Sequence, residues 1–401
     1  MNRLVIATLV VAILAGCSRA GPPATATEAA SPGPAAMPTA QASPSAPANL
    51  FPTELFAGLS DEPVSDELAA ELQEVLDTSA NGDGLTATLI TPEGTWSGAT
   101  GFAAGDRAMV PNDQMALGSL TKTLVAAQVM QLVEAGDLAL DDLAADRLSP
   151  ELEFDTNRAT IADLLSMRSG ISEYFADEGE LVEALTSDPL HVWTLEEKLA
   201  TVDPKRGPVG PEREWEYIGT NYLLLGLIIE QVTGRSVAEV MRSGVLSGQG
   251  YERLIYQPDQ RPTDPMAMPR GASADTFDEN GGYLPSLANA TMFTSEGAMA
   301  SDALSLARWF RALCAGRVVS PATLNDMTDL KRWPEYALGI WDRRYEYGRE
   351  SGALGHTGYV REGYRTAALC FRNPGIVVVL LANAEEHDVD TTAGNLWRAA
   401  S

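Results

Sequence analysis

The chain has 401 residues, with 28 Lys and Arg against 55 Asp and Glu, which gives a formal net charge of −27. Such an excess of negative charge argues against nucleic acid or an anionic membrane surface as a partner, because like charges repel one another. The length exceeds that of a usual single core, so two lobes around one site are predicted.

The N-terminal residues have the pattern of an export signal. An apolar run, Leu4 to Ala15, follows Arg3 and is shorter than the ~20 residues that span a bilayer. The run ends in Leu14-Ala15-Gly16-Cys17, which resembles a bacterial lipobox. The resemblance implies cleavage before Cys17, lipid on its thiol, and a bacterial lipoprotein anchored outside the cytoplasmic membrane, in the periplasm, at the outer membrane or at the cell surface. The alternative is a plain secretory signal with an incidental cysteine.

Residues 18–49 predict a flexible tether. They are almost wholly Ala, Pro, Ser, Thr and Gly, so they offer too little apolar surface to fold. The folded part is therefore predicted to run from about Leu50 to Ser401.

Strand patterns lie near both ends of the folded part, and helical patterns occupy its middle. The predicted strands are Leu85–Ile90, Trp96–Phe102, Ala337–Ile340, Arg365–Phe371 and Ile376–Leu381. The predicted helices are Leu124–Val133, one after a capping box at Thr160 and Asp163, Tyr222–Val232, Leu304–Leu313 and one near Ala393–Ala400. This order predicts an α/β (α+β) fold in which both chain ends, 50–143 and 301–401, build one antiparallel sheet flanked by helices. Residues 144–300 form a mainly helical inserted lobe, with a cleft between the lobes as the natural place for a site.

The cysteines and histidines show no metal-ligand spacing, so no metal and no cofactor are predicted. With Cys17 used for lipid, Cys314 and Cys370 remain as a pair. A single disulfide and two buried free thiols are equally open.

The tetrad Ser119-Leu120-Thr121-Lys122 lies at the start of the helix Leu124–Val133. Residues three apart on a helix share a face, so the Lys122 amine can reach the Ser119 hydroxyl. A lysine activates a serine when burial or nearby positive charge lowers the lysine pKa. The helix start also directs N–H groups at negative charge near Ser119. The tetrad therefore predicts a serine nucleophile with a lysine beside it, against the alternative of an ordinary solvated pair.

Two later stretches add to this prediction. Tyr217 comes just before the helix Tyr222–Val232, and Gly355-His356-Thr357-Gly358 comes just before the strand Arg365–Phe371. Glycine there lets a substrate backbone approach a strand edge. Taken alone, Tyr217 could be a core aromatic and the glycine stretch a plain turn; together with the tetrad they indicate one site.

In this order the three motifs resemble those of the serine penicillin-recognising enzymes. This family holds class C β-lactamases, D-alanyl-D-alanine carboxypeptidases and related esterases, and its motifs are Ser-x-x-Lys, Tyr-x-Asn and Lys/His-Thr-Gly. Here they are matched by Ser119 and Lys122, by Tyr217, and by His356-Thr357-Gly358. The resemblance covers the whole folded part, and the histidine of the third motif looks most like the carboxypeptidases.

The resemblance implies that Ser119 attacks a carbonyl and forms an acyl-enzyme, while Lys122 and Tyr217 share the proton. Which of the two is the base stays open. Tyr217 can be a base only if Lys122 and His356 lower its pKa from about 10.

The resemblance also implies the groups that hold the substrate. The backbone N–H groups of Ser119 and Tyr359 would form an oxyanion hole. His356, Thr357 and Gly358 would bind the substrate, with Thr357 donating to its terminal carboxylate.

The chain departs from the family pattern in the second motif, where Gly219 stands in place of Asn. Asn221 lies two residues further on and is the candidate replacement.

The carboxylate-binding positions of the carboxypeptidases also differ. In place of a hydroxyl residue and an arginine, the chain has Tyr359 and Trp341, and Arg343 or Arg344 is the candidate replacement. These departures favour esters or other acyl compounds over carboxylate-terminated substrates.

The preferred hypothesis is a serine hydrolase of the cell envelope, D-alanyl-D-alanine carboxypeptidase-like or β-lactamase-related, that acts on peptidoglycan stem peptides or β-lactams. One alternative is an esterase or amidase of the same fold. The other is a catalytically weak peptidoglycan-binding lipoprotein. No nucleic acid is expected as a partner.

Overall fold

The computed structural model describes residues 50–401 except 211–213, 263, 265, 271–282 and 362. The predicted signal peptide, Cys17 and the tether 18–49 lie outside the described residues. Residues 49–401 belong to a single compact unit. Within the described part, no helix is both long and apolar enough to cross a bilayer.

The described residues form eleven strands and fourteen α-helices. The strands are β1 Leu85–Thr91, β2 Gly94–Thr100, β3 Phe102–Ala104, β4 Arg107–Ala108, β5 Met115–Ala116, β6 Ile255–Tyr256, β7 Met299–Ser301, β8 Trp341–Asp342, β9 Leu354–Val360, β10 Tyr364–Phe371 and β11 Ile376–Ala382. The helices are α1 Thr53–Ala57, α2 Asp66–Ser79, α3 Thr121–Ala135, α4 Ala144–Arg147, α5 Ile161–Leu165, α6 Glu178–Ser187, α7 Leu195–Ala200, α8 Thr220–Thr233, α9 Val237–Ser243, α10 Leu287–Gly297, α11 Ala303–Cys314, α12 Pro321–Met327, α13 Arg344–Tyr347 and α14 Val389–Ala399.

A six-stranded sheet joins the two ends of the folded part, as predicted. Its order is β2-β1-β11-β10-β9-β8, and every neighbouring pair is antiparallel. Strand β11 is buried on both faces, and its side chains alternate between two cores, because successive residues of a strand point to opposite faces. Val377 and Val379 join the core that contains α3 and α11, whereas Val378 and Leu380 join the core with α2 and α14.

Most predicted elements are confirmed with shifts of a few residues at their ends. The capping box at Thr160 and Asp163 is present, with both reciprocal hydrogen bonds. The strand predicted at Ala337–Ile340 is wrong: this stretch bends at Gly339, whose φ is +76°, and pairing in the sheet begins only at β8. The predicted division into a sheet lobe and a helical lobe stays a prediction.

Cys314, at the end of α11, and Cys370, in β10, form a disulfide. This pairing decides between the two alternatives that the sequence left open. The bond joins a helix of one core to the central sheet, so it links two layers of the fold.

Candidate active site

Ser119 lies in a tight 3₁₀ turn, Gly118–Leu120, that leads directly into α3. Gly118 has a φ of +55°, and a Cβ added there would come within 2.4 Å of the Tyr359 carbonyl oxygen. Glycine is therefore needed on both backbone and steric grounds. Because Gly118 has no side chain, the turn lies against β9, and this brings Ser119 beside the backbone of Tyr359.

The Lys122 ammonium lies next to Ser119, as the spacing predicts. Its Nζ donates to Ser119 Oγ at 3.2 Å, and to the Glu296 backbone oxygen and Oε2 at 2.9 and 3.0 Å. The lysine is only 1% exposed. Burial acts to lower the Lys122 pKa, but the Glu296 carboxylate and Tyr217 outweigh it and raise that pKa above its ordinary value.

The condition under which Lys122 would be the base, a lowered pKa, is therefore not met in the free protein. A buried ammonium that donates to a carboxylate stays charged near neutral pH. In the free protein, Lys122 is therefore a cation that can stabilise negative charge on Ser119, rather than a free acceptor of its proton.

Tyr217 also lies beside Lys122. The Lys122 Nζ is 5.1 Å from the centre of the Tyr217 ring, and the ring stacks on Trp341 with 5.7 Å between centroids. The Tyr217 hydroxyl is buried beside Ser119 and Lys122, without a partner of ordinary hydrogen-bond geometry among the described residues.

The pKa of Tyr217 is raised, because burial outweighs the nearby Lys122 charge. The condition under which Tyr217 would serve as a phenolate base is thus not met in the free protein. In the free protein, the Tyr217 side chain is therefore a neutral hydroxyl near neutral pH.

A cavity of about 360 Å³ opens above these three side chains. It is lined by Gly118, Ser119, Leu181, Tyr217, Asn289, Phe293, Glu296, Gly297, Trp341, Thr357, Gly358, Tyr359, Val360, Arg361 and Arg365. Such a mixture of aromatic and polar groups is typical of pockets for small ligands.

Only part of the third motif lines the cavity. Thr357, Gly358 and Tyr359 line the cavity, whereas His356 does not and is fully buried. The His356 ring lies among aromatic side chains, where its Nε2 lies 3.1 Å from the Tyr336 hydroxyl and its Nδ1 lies 2.5 Å from the Thr357 carbonyl oxygen. The His356 side chain therefore does not reach the cavity surface, and a role for it in binding substrate stays a prediction.

His356 also carries no charge that could act on Tyr217. Burial lowers the pKa of His356 to about 3. The contact with a carbonyl oxygen requires a proton on Nδ1, so Nε2 accepts from the Tyr336 hydroxyl. The ring is neutral in the folded protein near neutral pH.

We expect His356 to make the fold sensitive to acid. Because its pKa is about 3 when folded and 6.5 in its ordinary state, only the unfolded chain gains the proton as the pH falls below 6.5. Each pH unit in this window costs about 1.4 kcal/mol of stability. The free energy of unfolding is measured by urea denaturation at pH 7 and at pH 5. Its decrease between these pH values should be roughly 2 kcal/mol smaller in His356→Gln than in the wild type.

The wild type, measured at the same two pH values, is the reference. Equal losses in the wild type and His356→Gln would contradict a neutral, buried His356.

Two candidate replacements from the sequence do not reach the cavity. Asn221 is fully buried in α8, where its Oδ1 accepts from the Ser169 hydroxyl at 2.6 Å. The Arg343 guanidinium lies 5.2 Å from the centre of the Trp341 ring and pairs with Asp390 at 2.5 Å, and Arg343 does not line the cavity. Each side chain is held by a partner, Asn221 by Ser169 and Arg343 by Asp390, so neither replaces the missing side chain at the cavity in the free protein.

The sequence of the folded part matches a known family. The profile of the Beta-lactamase family matches residues 76–401, which is most of the chain. The chain belongs to the Beta-lactamase family. Its family and its fold are those of the serine penicillin-recognising enzymes, which are serine hydrolases.

Individual relatives of this Beta-lactamase-family chain are distant. An unguisins hydrolase of Aspergillus campestris is 24% identical over 81% of this chain and 62% of its own length. A D-aminopeptidase of Brucella anthropi is 25% identical over 67% of this chain and 49% of its own length. The chain thus spans less than two thirds of these curated relatives. A D-amino acid amidase from Ochrobactrum anthropi SV3, with D-phenylalanine bound, shares the fold with a TM-score of 0.68, at 22% identity over 83% of this chain and 99% of that one.

Several wall residues of this Beta-lactamase-family site were missed from the sequence. They are Glu296, Arg361, Arg365, Asn289 and Phe293. Arg365 could have been found, because it lies directly opposite Tyr359 in the β9–β10 register, and cross-strand neighbours share a face. Glu296 gave no local signal, since its contact with Lys122 joins residues 174 positions apart.

Proposed function

We propose that this protein hydrolyses amide bonds in small substrates, namely amides and short peptides of D-amino acids, through an acyl-enzyme on Ser119. The observation that carries the proposal is the contact between Ser119 Oγ and the Lys122 ammonium at the floor of a cavity, with the Tyr217 hydroxyl beside them. A polarised serine that faces a cavity is the arrangement that nucleophilic acyl transfer needs.

The charge states suggest how the proton moves. Ser119 Oγ attacks the substrate carbonyl carbon and passes its proton to the Tyr217 oxygen, while Tyr217 gives its own proton to the leaving nitrogen. Tyr217 begins and ends this exchange neutral, so its raised pKa is no obstacle. The Lys122 cation stabilises the negative charge that passes through Ser119 and Tyr217. Water then repeats the exchange and releases the acyl group.

The backbone beside Ser119 supports the oxyanion hole that the family resemblance implies. The turn at Gly118 lies against Tyr359, whose nitrogen would be 3.0 Å from a Cβ at Gly118. The N–H groups of Ser119 and Tyr359 are the two donors proposed for the oxyanion. Removing one such donor in a comparable site costs about 3 kcal/mol of transition-state stabilisation.

The choice of amides over other acyl compounds is supported by the relatives and by the cavity. Relatives named for D-aminopeptidase and D-amino acid amidase activity match most of this chain. The cavity offers apolar contacts from Trp341, Phe293 and Leu181 that suit the side chain of a small amino acid derivative.

A D-alanyl-D-alanine carboxypeptidase-like activity on stem peptides is the second candidate. Arg365 and Arg361 line the same cavity as Thr357. Arginine pairs well with carboxylates. Because Arg361 already pairs with Glu178 at 2.5 Å, Arg365 is the arginine that offers a site for the terminal carboxylate. This observation favours the second candidate for peptides that end in D-Ala-D-Ala.

A substrate panel separates the candidates. We expect the protein to release ammonia from D-phenylalanine amide at least about tenfold faster than from L-phenylalanine amide, because a chiral pocket discriminates in the transition state. Release of D-alanine from a D-Ala-D-Ala peptide, with no release from the amide, would favour the second candidate. Turnover of an aryl ester alone would point to an esterase, and binding without turnover would point to a peptidoglycan-binding lipoprotein.

We also propose that the chain acts in the bacterial envelope, anchored by lipid on Cys17. The lipobox pattern and the tether-like composition of residues 18–49 support this location. Expression of the full chain and of Cys17→Ser should leave only the wild type in the membrane fraction. Equal membrane recovery of both would contradict a lipid on Cys17.

A further inference from the structure

Glu296 is a buried acid at the centre of the site. It is 7% exposed, and both of its carboxylate oxygens have partners: Oε2 accepts from Lys122 at 3.0 Å and Oε1 accepts from the Tyr174 hydroxyl. Its backbone oxygen accepts from the same ammonium at 2.9 Å. Two of the three protons of Lys122 therefore point at Glu296 and the third at Ser119.

Gly219 leaves the space that this carboxylate fills. A Cβ built on Gly219 would lie 2.1 Å from Glu296 Oε2 and 2.6 Å from its Cδ. The backbone of Gly219 has φ −65° and ψ −34°, which any residue adopts. Glycine is therefore required here by the neighbouring carboxylate and not by the backbone.

Glu296 also has an electrostatic role, besides filling the space beside Gly219. A buried carboxylate is costly unless it is paired, and Lys122 provides the pairing charge. On the other side of Gly219, Glu173 accepts from the N–H groups of Gly219 and Thr220. Burial and the charge of Glu296 raise the pKa of Glu173 to about 7. The loop at Gly219 is thus held between two acids, of which only Glu296 contacts the lysine.

We infer that Glu296 is a positioning residue of the hydrolase, which fixes the Lys122 ammonium against Ser119, and that it can do so only because residue 219 has no side chain. This inference rests on the proposed function. A side chain at residue 219 and a carboxylate at residue 296 would occupy the same space, so the two exclude one another.

A double-mutant cycle tests whether a side chain at residue 219 and the Glu296 carboxylate exclude one another. We expect Gly219→Asn to lower the melting temperature by roughly 5 °C and kcat/KM by at least about a hundredfold, since it forces an amide into the carboxylate. In the double variant Gly219→Asn with Glu296→Ala, the space is free, so kcat/KM should recover at least about tenfold over Gly219→Asn alone. Gly58→Asn is the control for the added side chain, because Gly58 has φ −84° and its nearest neighbour lies 4.0 Å from a built Cβ.

The pH profile of Glu296→Gln tests the positioning role. This variant keeps the shape but removes the charge, so the alkaline limb of kcat/KM should move to lower pH by at least about one unit, with KM for a neutral amide changed less than threefold. Among the described residues, the other titratable groups that face Glu296 or Lys122 include Glu173, Tyr174, Lys198, Tyr217, Tyr222 and His356. Because they are present in both proteins, the difference between the two profiles reports on Glu296.

The outcomes separate this inference from the proposed function. Additive effects of the two substitutions in the cycle, or an unchanged alkaline limb in Glu296→Gln, would overturn the role of Glu296. If the wild type turns over no amide, peptide or ester, the proposed function fails. The melting temperatures of the cycle then still decide whether a side chain at 219 and a carboxylate at 296 exclude one another.

Discussion

Ser119→Ala is expected to abolish turnover of every substrate that the wild type accepts, with a loss of at least about 10⁴-fold in kcat. Ser119 Oγ is the atom at the cavity floor that contacts the Lys122 ammonium, at 3.2 Å. Alanine removes the attacking oxygen but leaves the ion pair of Lys122 and Glu296 intact. Binding and melting temperature should therefore change little.

The measurement is the initial rate of ammonia release from D-phenylalanine amide, together with the dissociation constant of the amide. Ser97→Ala, in β2 and outside the cavity, controls for loss of a serine hydroxyl elsewhere. A Ser119→Ala protein that keeps more than about one hundredth of the wild-type rate would show that another group is the nucleophile.

Lys122→Met is expected to lower kcat by at least about 10³-fold and to destabilise the fold. The substitution removes the cation beside Ser119 and Tyr217. It also leaves the Glu296 carboxylate buried without its counter-charge, and breaking a buried pair in this way costs about 3–5 kcal/mol. Both effects follow from one contact, the 3.0 Å ion pair.

Lys198→Met is the matched control for this prediction. Lys198 is also a buried lysine, 3% exposed, but its Nζ donates to the Thr291 backbone oxygen in a different cavity. Its removal should leave kcat within about threefold of the wild type, since it contacts neither Ser119 nor Tyr217. Rates are compared per folded protein, judged from circular dichroism. An equal loss in both variants would mean that Lys122 matters for folding alone.

Local patterns were enough to predict the sheet and the contact between Ser119 and Lys122. The three-residue spacing of Ser119 and Lys122 and the start of an apolar helix are features of neighbouring residues, and α3 begins where they indicate. The strands from both chain ends were predicted because their apolar residues and turns are equally local. The error at Ala337–Ile340 arose where a single glycine, Gly339, turns the chain before it can pair.

The electrostatics of the site could not be predicted in this way. Whether the Lys122 pKa is lowered was left open by the sequence, and the structure shows it raised because the Glu296 carboxylate, from a helix far along the chain, pairs with the ammonium. His356 was placed in the pocket from its motif, although the alternation of β9 turns it into the core beside Tyr336. In both cases the deciding contact lies between segments whose packing is fixed only by the folded structure.

The central claim is that Ser119 carries the acyl group, and the mass of the intact protein tests it most directly. Wild type and Ser119→Ala are incubated briefly with an aryl ester and with a penicillin, quenched in acid and weighed by mass spectrometry. We predict an increase equal to the acyl group for the wild type with at least one of the two reagents, mapped to the peptide that contains Ser119, and no increase for Ser119→Ala. An adduct of the same mass on Ser119→Ala, or turnover by the wild type with the acyl group trapped on another residue, would contradict this account.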